Sequence, residues 1–205
     1  MIADWPARWA RTARALGIDA DVTARDAVLA RYAEPQRRYH TLRHLDECFD
    51  RLERVLARAE RPGELDFALW YHDAIYDPLA SDNEARSAEL AVGVLERAGL
   101  PEPARDRVRA LIMATRHEAL PAPGDAALLV DVDLGILAAE PARFDEYEAQ
   151  IRGEYAWVPG PVFRGKRREV LRGFVARERI YTSGAFDVDE LRARENLSRS
   201  IARLE

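Results

Sequence analysis

The sequence predicts an all-α protein, and three observations favour that class. Apolar residues recur at helical spacing along most of the chain, and no segment alternates strictly between apolar and polar residues. The periodic segments are separated by residues that begin or end helices. With 205 residues, of which 48% are hydrophobic and 33% charged, the chain suits one well-buried domain spanning 1–205. We therefore predict a single-domain helical bundle.

Capping residues and helix breakers divide the first part of the chain into six helices. Asp, Ser and Thr side chains cap the free N–H groups at a helix start, whereas Gly and Pro end a helix. The predicted bounds are Asp4 to Gly17, Asp21 to Pro35, Thr41 to about Ala59, Leu65 to the His72-Asp73 pair, Ser81 or Asp82 to Gly99, and Pro103 to about His117. The stretch 37–40 is a short connector between the second and third helices.

The second part begins with 126–138, a nearly continuous apolar run that fits a buried strand or a buried helix. Helical neighbours on both sides favour a helix. In a helix Asp131 and Asp133 point about 200° apart, so only one of them can face a given site. Three more helices follow, at about 142–156, 163–180 and 188–204, with the sharpest break at 157–161.

Charge and cysteine content limit the environment and the partners. A formal net charge of −5 argues against binding a nucleic-acid polymer or an anionic membrane, but it is compatible with a small anionic substrate. Cys48 is the single cysteine, so neither an internal disulfide nor a thiolate zinc cluster is expected. Residues 1–5 lack a basic start followed by an apolar run, and no segment approaches the ~20 apolar residues of a membrane span. We expect an unprocessed cytoplasmic protein.

A His-Asp pair, His72 and Asp73, lies in the apolar stretch 70–77, and two more histidines, His40 and His44, precede it by about thirty residues. One alternative is a buried, hydrogen-bonded His beside a helix-ending Asp. The other is a metal site, completed by one of the two aspartates at 131 and 133. Two imidazoles and two carboxylates leave open positions for water and substrate and suit Mn²⁺, Fe²⁺, Mg²⁺, Zn²⁺ or Co²⁺. Such a cation can activate water and polarise a phosphoryl oxygen.

The order His, His-Asp, Asp on a helical chain resembles the HD superfamily of metal-dependent phosphohydrolases. Residues 39–44 are similar to the Tyr-His-x-x-x-His opening of cyclic-nucleotide phosphodiesterases, which share that metal site. Residues 70–78, 82–88 and 131–137 resemble a bacterial group of predicted HD phosphohydrolases, and the match extends through Tyr181 and 194–197. The resemblance implies an HD-type helical domain, with a metal-site core at about 37–140 and C-terminal helices 141–205 packing on it.

The resemblance also implies the metal ligands, which are His44, His72, Asp73 and a closing aspartate. Asp133 fits that closing position better than Asp131, because the superfamily's aspartate is followed by an aliphatic or basic residue. The scarcity of histidines favours one metal ion over two.

Three residues are candidate catalytic groups. His40 matches the position that protonates the leaving oxygen in the phosphodiesterases, and an imidazole one turn before a ligand is well placed for that role. A hydrogen-bonding His is the alternative. Asp77 and Glu84 follow the His-Asp pair at distances where other HD enzymes keep acidic residues that orient water or bind a second cation. Helix termination by Asp77 and capping support by Glu84 fit equally well.

The remaining histidine, several basic residues and the tryptophans lie outside the predicted ligand and catalytic sets. His117, with Arg116, could reach the pocket, but a surface His at a helix end is favoured. Arg43 and Arg86 are candidate phosphate contacts by charge alone. The basic run 166–168 is expected to be solvated, and the four tryptophans at 5, 9, 70 and 157 are expected in the core.

The resemblance implies a metal-dependent phosphohydrolase that cleaves a phosphoester or phosphoanhydride of a small nucleotide-like substrate by attack of a metal-bound water. A non-catalytic HD-type module, which binds a nucleotide or partner and uses the metal structurally, is the alternative. A third hypothesis is oxygenation at a di-iron centre, but the small number of histidines argues against it. The substrate, the metal and the oligomeric state stay open.

Overall fold

The computed structural model describes residues 4–205 and contains, within them, ten α-helices, three short 3₁₀-helices and no strand. The α-helices are α1 (Trp5–Leu16), α2 (Val22–Tyr32), α3 (Leu42–Glu53), α4 (Pro62–Tyr71), α5 (Asn83–Arg97), α6 (Glu102–Ala114), α7 (Asp125–Asp133), α8 (Pro141–Glu154), α9 (Gly160–Val175) and α10 (Glu190–Arg203). The prediction of an all-α fold is confirmed.

Three helices end several residues earlier than predicted. The helix predicted at 163–180 stops at Val175, and the other two continue as 3₁₀-helices. The third predicted helix, extended to about Ala59, stops at Glu53 and continues as a turn and the 3₁₀-helix Leu56–Arg58. The predicted helix 126–138 stops at Asp133 and continues as the 3₁₀-helix Leu134–Ala138. In both places the following residues are still apolar and still pack on the core, so the hydrophobic pattern does not mark the end of the α-helix.

Helix α4 is the centre of the bundle. It packs against α1, α3, α5, α6 and α7, and every residue from Gly63 to Tyr71 is buried. Its two acidic residues, Glu64 and Asp66, pair with arginines, and its other side chains are predominantly apolar on all sides, so the helix has to be enclosed in this way. A Cβ atom on Gly63 would lie 2.8 Å from the carbonyl group of Ala15, so the glycine allows α4 to approach the end of α1. The enclosed helix carries His72 at its C-terminal end.

The C-terminal helices hold the segment that follows Asp133. Helix α10 packs against α8, α9 and the 3₁₀-helix Leu134–Ala138. The buried side chain of Asn196 donates hydrogen bonds of 2.9 Å to the carbonyl oxygens of Leu137 and Ala139. These contacts fix the chain immediately after α7.

Three of the four tryptophans lie in or against the core, as predicted. Trp9 and Trp70 are buried, and Trp5 packs edge-on against Trp70. The prediction is wrong for Trp157, which is 59% exposed in the connection between α8 and α9. The break at 157–161, which the sequence indicates, carries it away from the core.

No helix among residues 4–205 combines the length and the apolar character that crossing a membrane requires. Residues 1–3, part of the stretch used to predict an unprocessed N-terminus, lie outside the described residues.

Candidate metal centre

Three helix ends meet at the site. His44 lies in the first turn of α3, which Thr41 caps by accepting a hydrogen bond from the Arg43 N–H. His72 follows the last residue of α4, with Asp73 next to it, and Asp133 is the last residue of α7. Because α3, α4 and α7 pack against one another, their ends bring these four side chains together.

The donor atoms of the four side chains lie at the spacing of ligands to one ion. Nε2 of His44 is 3.1 Å from Nε2 of His72. Oδ2 of Asp73 lies 3.4 and 3.1 Å from these two nitrogens, and Oδ1 of Asp133 lies 3.3 and 3.5 Å from them. Atoms bound about 2.1 Å from a shared cation are separated by about 3.0 to 3.4 Å at octahedral or tetrahedral angles. This donor set therefore fits a divalent cation.

Hydrogen bonding sets the orientation of His72. Its Nδ1 lies 2.8 Å from the carbonyl oxygen of Leu69, which can only accept, so Nδ1 carries the hydrogen. The neutral ring then presents the lone pair of Nε2 toward His44. The Tyr32 hydroxyl accepts a hydrogen bond from the Asp73 backbone N–H and fixes the next residue. A second partner that fixes the ring is typical of a metal-binding histidine.

The charges in the cluster favour a cation. Burial opposes ionisation of Asp73 and Asp133, but the neighbouring imidazoles outweigh it, and the pKa of each carboxyl lies well below its usual value. Burial likewise disfavours charged His72, yet the adjacent Asp73 raises the pKa of that imidazole. The two ionised carboxylates therefore favour positive charge at the ring nitrogens. Either protons or a divalent cation can supply that charge.

Cys48 belongs to the same cluster, which the sequence analysis missed. One donor atom from each of His44, Cys48, His72 and Asp133 lies within 4.8 Å of the others. The available signal was spacing, because residues four apart share one face of a helix and Cys48 follows His44 by four. The expectation of no thiolate cluster considered only sites with several cysteines.

His40 is held by a residue that the sequence analysis did not single out, Glu154. Its Nδ1 lies 2.8 Å from Oε2 of Glu154, and its ring stacks on Tyr76 with centroids 4.1 Å apart. The Tyr76 hydroxyl also donates to Glu154, at 2.8 Å. The carboxylate can only accept, so Nδ1 of His40 carries a hydrogen and Nε2 is free to exchange a proton with a bound molecule.

Glu154 itself is ionised and fully enclosed. Its side chain has no exposed area, and Oε1 accepts hydrogen bonds from the backbone N–H groups of Arg38, Tyr39 and His40. Burial alone would raise the pKa of Glu154, but hydrogen bonds from His40 and the backbone outweigh it and lower the pKa to about 2. The last residue of α8 thereby positions the connector before α3.

Arg37 ties that connector to the His-Asp segment. One guanidinium nitrogen donates to the carbonyl oxygens of His40 at 3.0 Å and Asp73 at 2.8 Å, and another donates to Ala74 at 3.0 Å. Its side chain is fully buried. One arginine therefore sets the distance between His40 and Asp73.

A cavity of about 1020 Å³, here called the large cavity, opens over the cluster. His40, Asp73, His117 and Asp133 are among the residues that line it. The other lining residues include one acidic residue, Glu84, and apolar, aromatic and basic residues: Tyr76, Arg116, Leu137, Tyr155, Trp157, Val158, Phe163, Lys166, Arg167, Val170, Phe174 and Arg177. The cavity is large enough for a small organic phosphate.

Comparisons with protein-family models, curated proteins and solved structures find no match. The case for a metal centre is therefore geometric. The helical fold and the buried cluster are compatible with an HD-type site.

Of the predicted catalytic residues, His40 and Glu84 line the large cavity and Asp77 does not. Asp77 is exposed, and its Oδ1 accepts a hydrogen bond from the Leu79 N–H in its own turn, at 2.9 Å. That contact favours the helix-terminating role. The metal and catalytic roles of all these residues stay predictions.

Asp131 and Asp133 point in different directions, as a helix requires. The carboxylate of Asp131 is buried and accepts hydrogen bonds from the backbone N–H groups of Thr182 at 2.9 Å and Ser183 at 2.7 Å. Asp133 faces the histidines. Of the two aspartates, Asp133 is therefore the one that a cation in the cluster could reach.

His117 is not the surface residue that was favoured. Its Nε2 lies 3.0 Å from Oδ2 of Asp133, and its backbone has a left-handed φ of 57°, which is uncommon outside glycine. The Arg177 guanidinium donates to the His117 carbonyl oxygen at 3.0 Å. This turn after α6 directs the ring to the cluster.

The basic residues around the site also differ from expectation. Arg43 pairs with Glu47 and Glu146, and Arg86 with Asp82, so neither lines the large cavity. In the basic run at 166–168, expected to be solvated, Lys166 is exposed as expected, whereas Arg167 is largely buried and paired with Glu148; both line the large cavity. Arg177, which the sequence analysis did not name, lines it as well.

Proposed function

We propose that the protein is a metal-dependent phosphohydrolase of the HD type, which cleaves a phosphoester or phosphoanhydride bond in a small nucleotide-like molecule. The observation that carries the proposal is the spacing of 3.1 to 3.5 Å that joins the Nε2 atoms of His44 and His72 to each other and to one carboxylate oxygen each of Asp73 and Asp133, two residues that line the large cavity. A divalent cation held there supplies Lewis-acid polarisation of a phosphoryl oxygen and lowers the pKa of a coordinated water.

His40 is the proposed proton donor to the leaving oxygen. It lines the same cavity, and the hydrogen bond from its Nδ1–H to the Glu154 carboxylate leaves Nε2 as the nitrogen available for proton exchange. The hydrogen bond at Nδ1 also fixes the ring orientation that proton transfer from Nε2 needs. Arg37 holds the backbone of His40 and Asp73 in one arrangement. Proton transfer and the cation ligands are thus positioned by the same buried groups.

Other residues that line the large cavity suit the phosphate and the base of a nucleotide. Arg116, Lys166 and Arg177 supply positive charge for phosphate oxygens. Arg177 is also half-buried, and burial lowers its pKa, so an anion that replaces water around it would be favourable. Trp157 and Phe163 present aromatic surface on which a base could stack. This pairing of charge with aromatic surface supports the proposed substrate class.

The test combines metal analysis with hydrolysis assays. The purified full chain is loaded with Mn²⁺, Co²⁺, Zn²⁺ or Mg²⁺, its bound metal is measured, and it is assayed on nucleoside mono-, di- and triphosphates and on cyclic nucleotides. We expect about one ion per chain and release of phosphate or nucleoside phosphate from at least one of these substrates.

The decisive variant is the double substitution His72→Ala, Asp73→Ala, with Glu146→Gln as the matched control on the exposed face of α8. We expect the double variant to lose both bound metal and activity, and the control to keep both. Activity that persisted in the double variant, or a folded wild-type chain that took up no divalent cation, would contradict the proposal.

A further inference from the structure

The cation cluster borders a second cavity as well as the large one. The second cavity, of about 280 Å³, is lined by Cys48 and His44 and by the edges of α3 and of the segment after α7. Asp133 lines both cavities, whereas Asp73 lines only the large one and Cys48 only the second. The cluster therefore has a carboxylate donor toward one cavity and a sulfur donor toward the other.

The position of Cys48 follows from α3. Residues four apart lie one above the other on a helix, so the side chain of Cys48 lies one turn beyond His44 on the same buried face. Its Sγ is 3.6 Å from Nδ1 and 3.7 Å from Nε2 of His44. The two distances are nearly equal, so Sγ lies beside the ring rather than along the lone pair of Nε2, and it has to shift toward Nε2 for a metal–sulfur bond of about 2.3 Å to form. One donor atom from each of His44, Cys48, His72 and Asp133 lies within 4.8 Å of the others, which keeps that shift small.

We propose that Cys48 is a ligand of the cation, through Sγ, beside His44, His72 and Asp133. The inference rests on the cation site of the proposed function but is separate from the ligand set that the sequence motif implies, which contains no sulfur. The thiol proton passes to solvent as the metal–sulfur bond forms, so the step needs neither an oxidant nor a reductant.

A sulfur ligand determines which cations bind well. Thiolate prefers Zn²⁺, Co²⁺ and Fe²⁺, whereas Mg²⁺ takes oxygen ligands and gains almost nothing from sulfur. We therefore expect the site to select the thiophilic cations. The substitution Cys48→Ser should weaken Zn²⁺ and Co²⁺ binding by about ten-fold or more and leave Mg²⁺ binding nearly unchanged.

The experiment uses Co²⁺ as the probe in the full chain. Cobalt bound to thiolate gives an intense sulfur-to-metal charge-transfer absorption in the near ultraviolet, whereas cobalt bound to imidazole and carboxylate gives only weak visible bands. Because Cys48 is the single cysteine, such an absorption can be assigned without ambiguity. We expect it in the wild type and its loss in Cys48→Ser and Cys48→Ala, with the weak visible bands retained.

A second measurement needs no variant and covers the case in which either substitution fails to fold. X-ray absorption at the zinc edge of the wild-type protein distinguishes a sulfur at about 2.3 Å from nitrogen and oxygen at about 2.0 to 2.1 Å. We expect one sulfur per zinc.

The outcomes separate this inference from the proposed function. Stoichiometric Co²⁺ and Zn²⁺ uptake without charge-transfer absorption or a sulfur neighbour overturns the role of Cys48, leaves it a core-packing residue, and leaves the hydrolase proposal intact. Absence of any metal uptake by the folded chain overturns both.

Discussion

Glu154 is the residue on which the orientation of His40 depends. Its buried carboxylate joins the imidazole, the Tyr76 hydroxyl and three backbone N–H groups, and it stays ionised to low pH, with a pKa of about 2. A carboxylate with so many donors stabilises the fold as well as the ring. Part of the acid sensitivity of the fold should therefore come from this side chain, beside Asp73 and Asp133.

Glu154→Gln should remove part of the acid sensitivity of the fold. A folded-state pKa of about 2, below the usual 4.5, means that the ionised carboxylate stabilises the protein fully above pH about 5 and that this contribution is lost as the pH falls toward 2. The depression corresponds to roughly 3 kcal/mol. Urea unfolding of the wild type and the variant between pH 7 and 3 measures it. The Glu146→Gln control should keep the wild-type slope; equal slopes in all three proteins would contradict the assignment.

Substitutions of Asp131 and Asp133 give a second test at the scale of single residues. Asp131 accepts hydrogen bonds from the backbone at 182–183, whereas Asp133 faces the histidines. Asp133→Asn should weaken Co²⁺ binding by at least about ten-fold, since a neutral amide replaces a charged donor, and should leave the fold intact. Asp131→Asn should keep Co²⁺ binding and lower the free energy of unfolding by about 1 to 2 kcal/mol, since one backbone N–H at 182–183 loses its acceptor. Titration with Co²⁺ and urea unfolding measure the two effects. The reverse pattern would make Asp131 the closing residue.

At the scale of the helices, the site depends on where α3, α4 and α7 end. Arg37, in the connector before α3, donates to carbonyl oxygens on both sides of the site and so joins His40 to the segment after α4. A fully buried guanidinium that satisfies three carbonyl oxygens has no simple substitute. The relative positions of the proton donor and the cation ligands therefore depend on this side chain.

Arg37→Met should lower the free energy of unfolding by about 3 kcal/mol, because one buried and two partly buried carbonyl oxygens lose their donors. We also expect weaker Co²⁺ binding, since Asp73 is no longer held. Arg38→Met is the matched control, because Arg38 is the exposed neighbour in the chain. Urea unfolding and Co²⁺ titration measure both properties. Equal stability and equal Co²⁺ affinity in the two variants would contradict the proposed link between the connector and the site.

The helices could be predicted from the sequence because caps, breakers and apolar spacing are local. The divergence of Asp131 and Asp133 followed from helical geometry alone. The pairing of His40 with Glu154 could not be predicted, because it joins residues more than a hundred positions apart and a glutamate at a helix end has no distinguishing pattern. The prediction of a surface position for His117 was wrong for a related reason. A left-handed φ directs its ring to the site, and no sequence pattern predicts that conformation.

At the scale of the whole molecule, the cation site is where helices far apart in the sequence meet. Its donors come from α3, from the end of the enclosed helix α4 and from α7, and α10 fixes the segment directly after α7. Two ionised carboxylates in a buried cluster repel each other unless positive charge lies between them. Binding a divalent cation should therefore stabilise the whole fold.

Saturating the full chain with Zn²⁺ or Co²⁺ should raise its melting temperature by roughly 5 to 10 °C. A ligand present at about a hundred times its dissociation constant stabilises the native state by about 2.7 kcal/mol, and about 1 kcal/mol shifts a chain of this size by about 2 to 4 °C. Scanning calorimetry before and after chelation measures the shift. His72→Asn should remove it, whereas Asp131→Asn, which melts earlier, should retain it. A shift that persisted in His72→Asn would mean that the stabilising ion binds elsewhere, because the His72 ring lies within 3.5 Å of His44, Asp73 and Asp133 and no ion could occupy the cluster without contacting it.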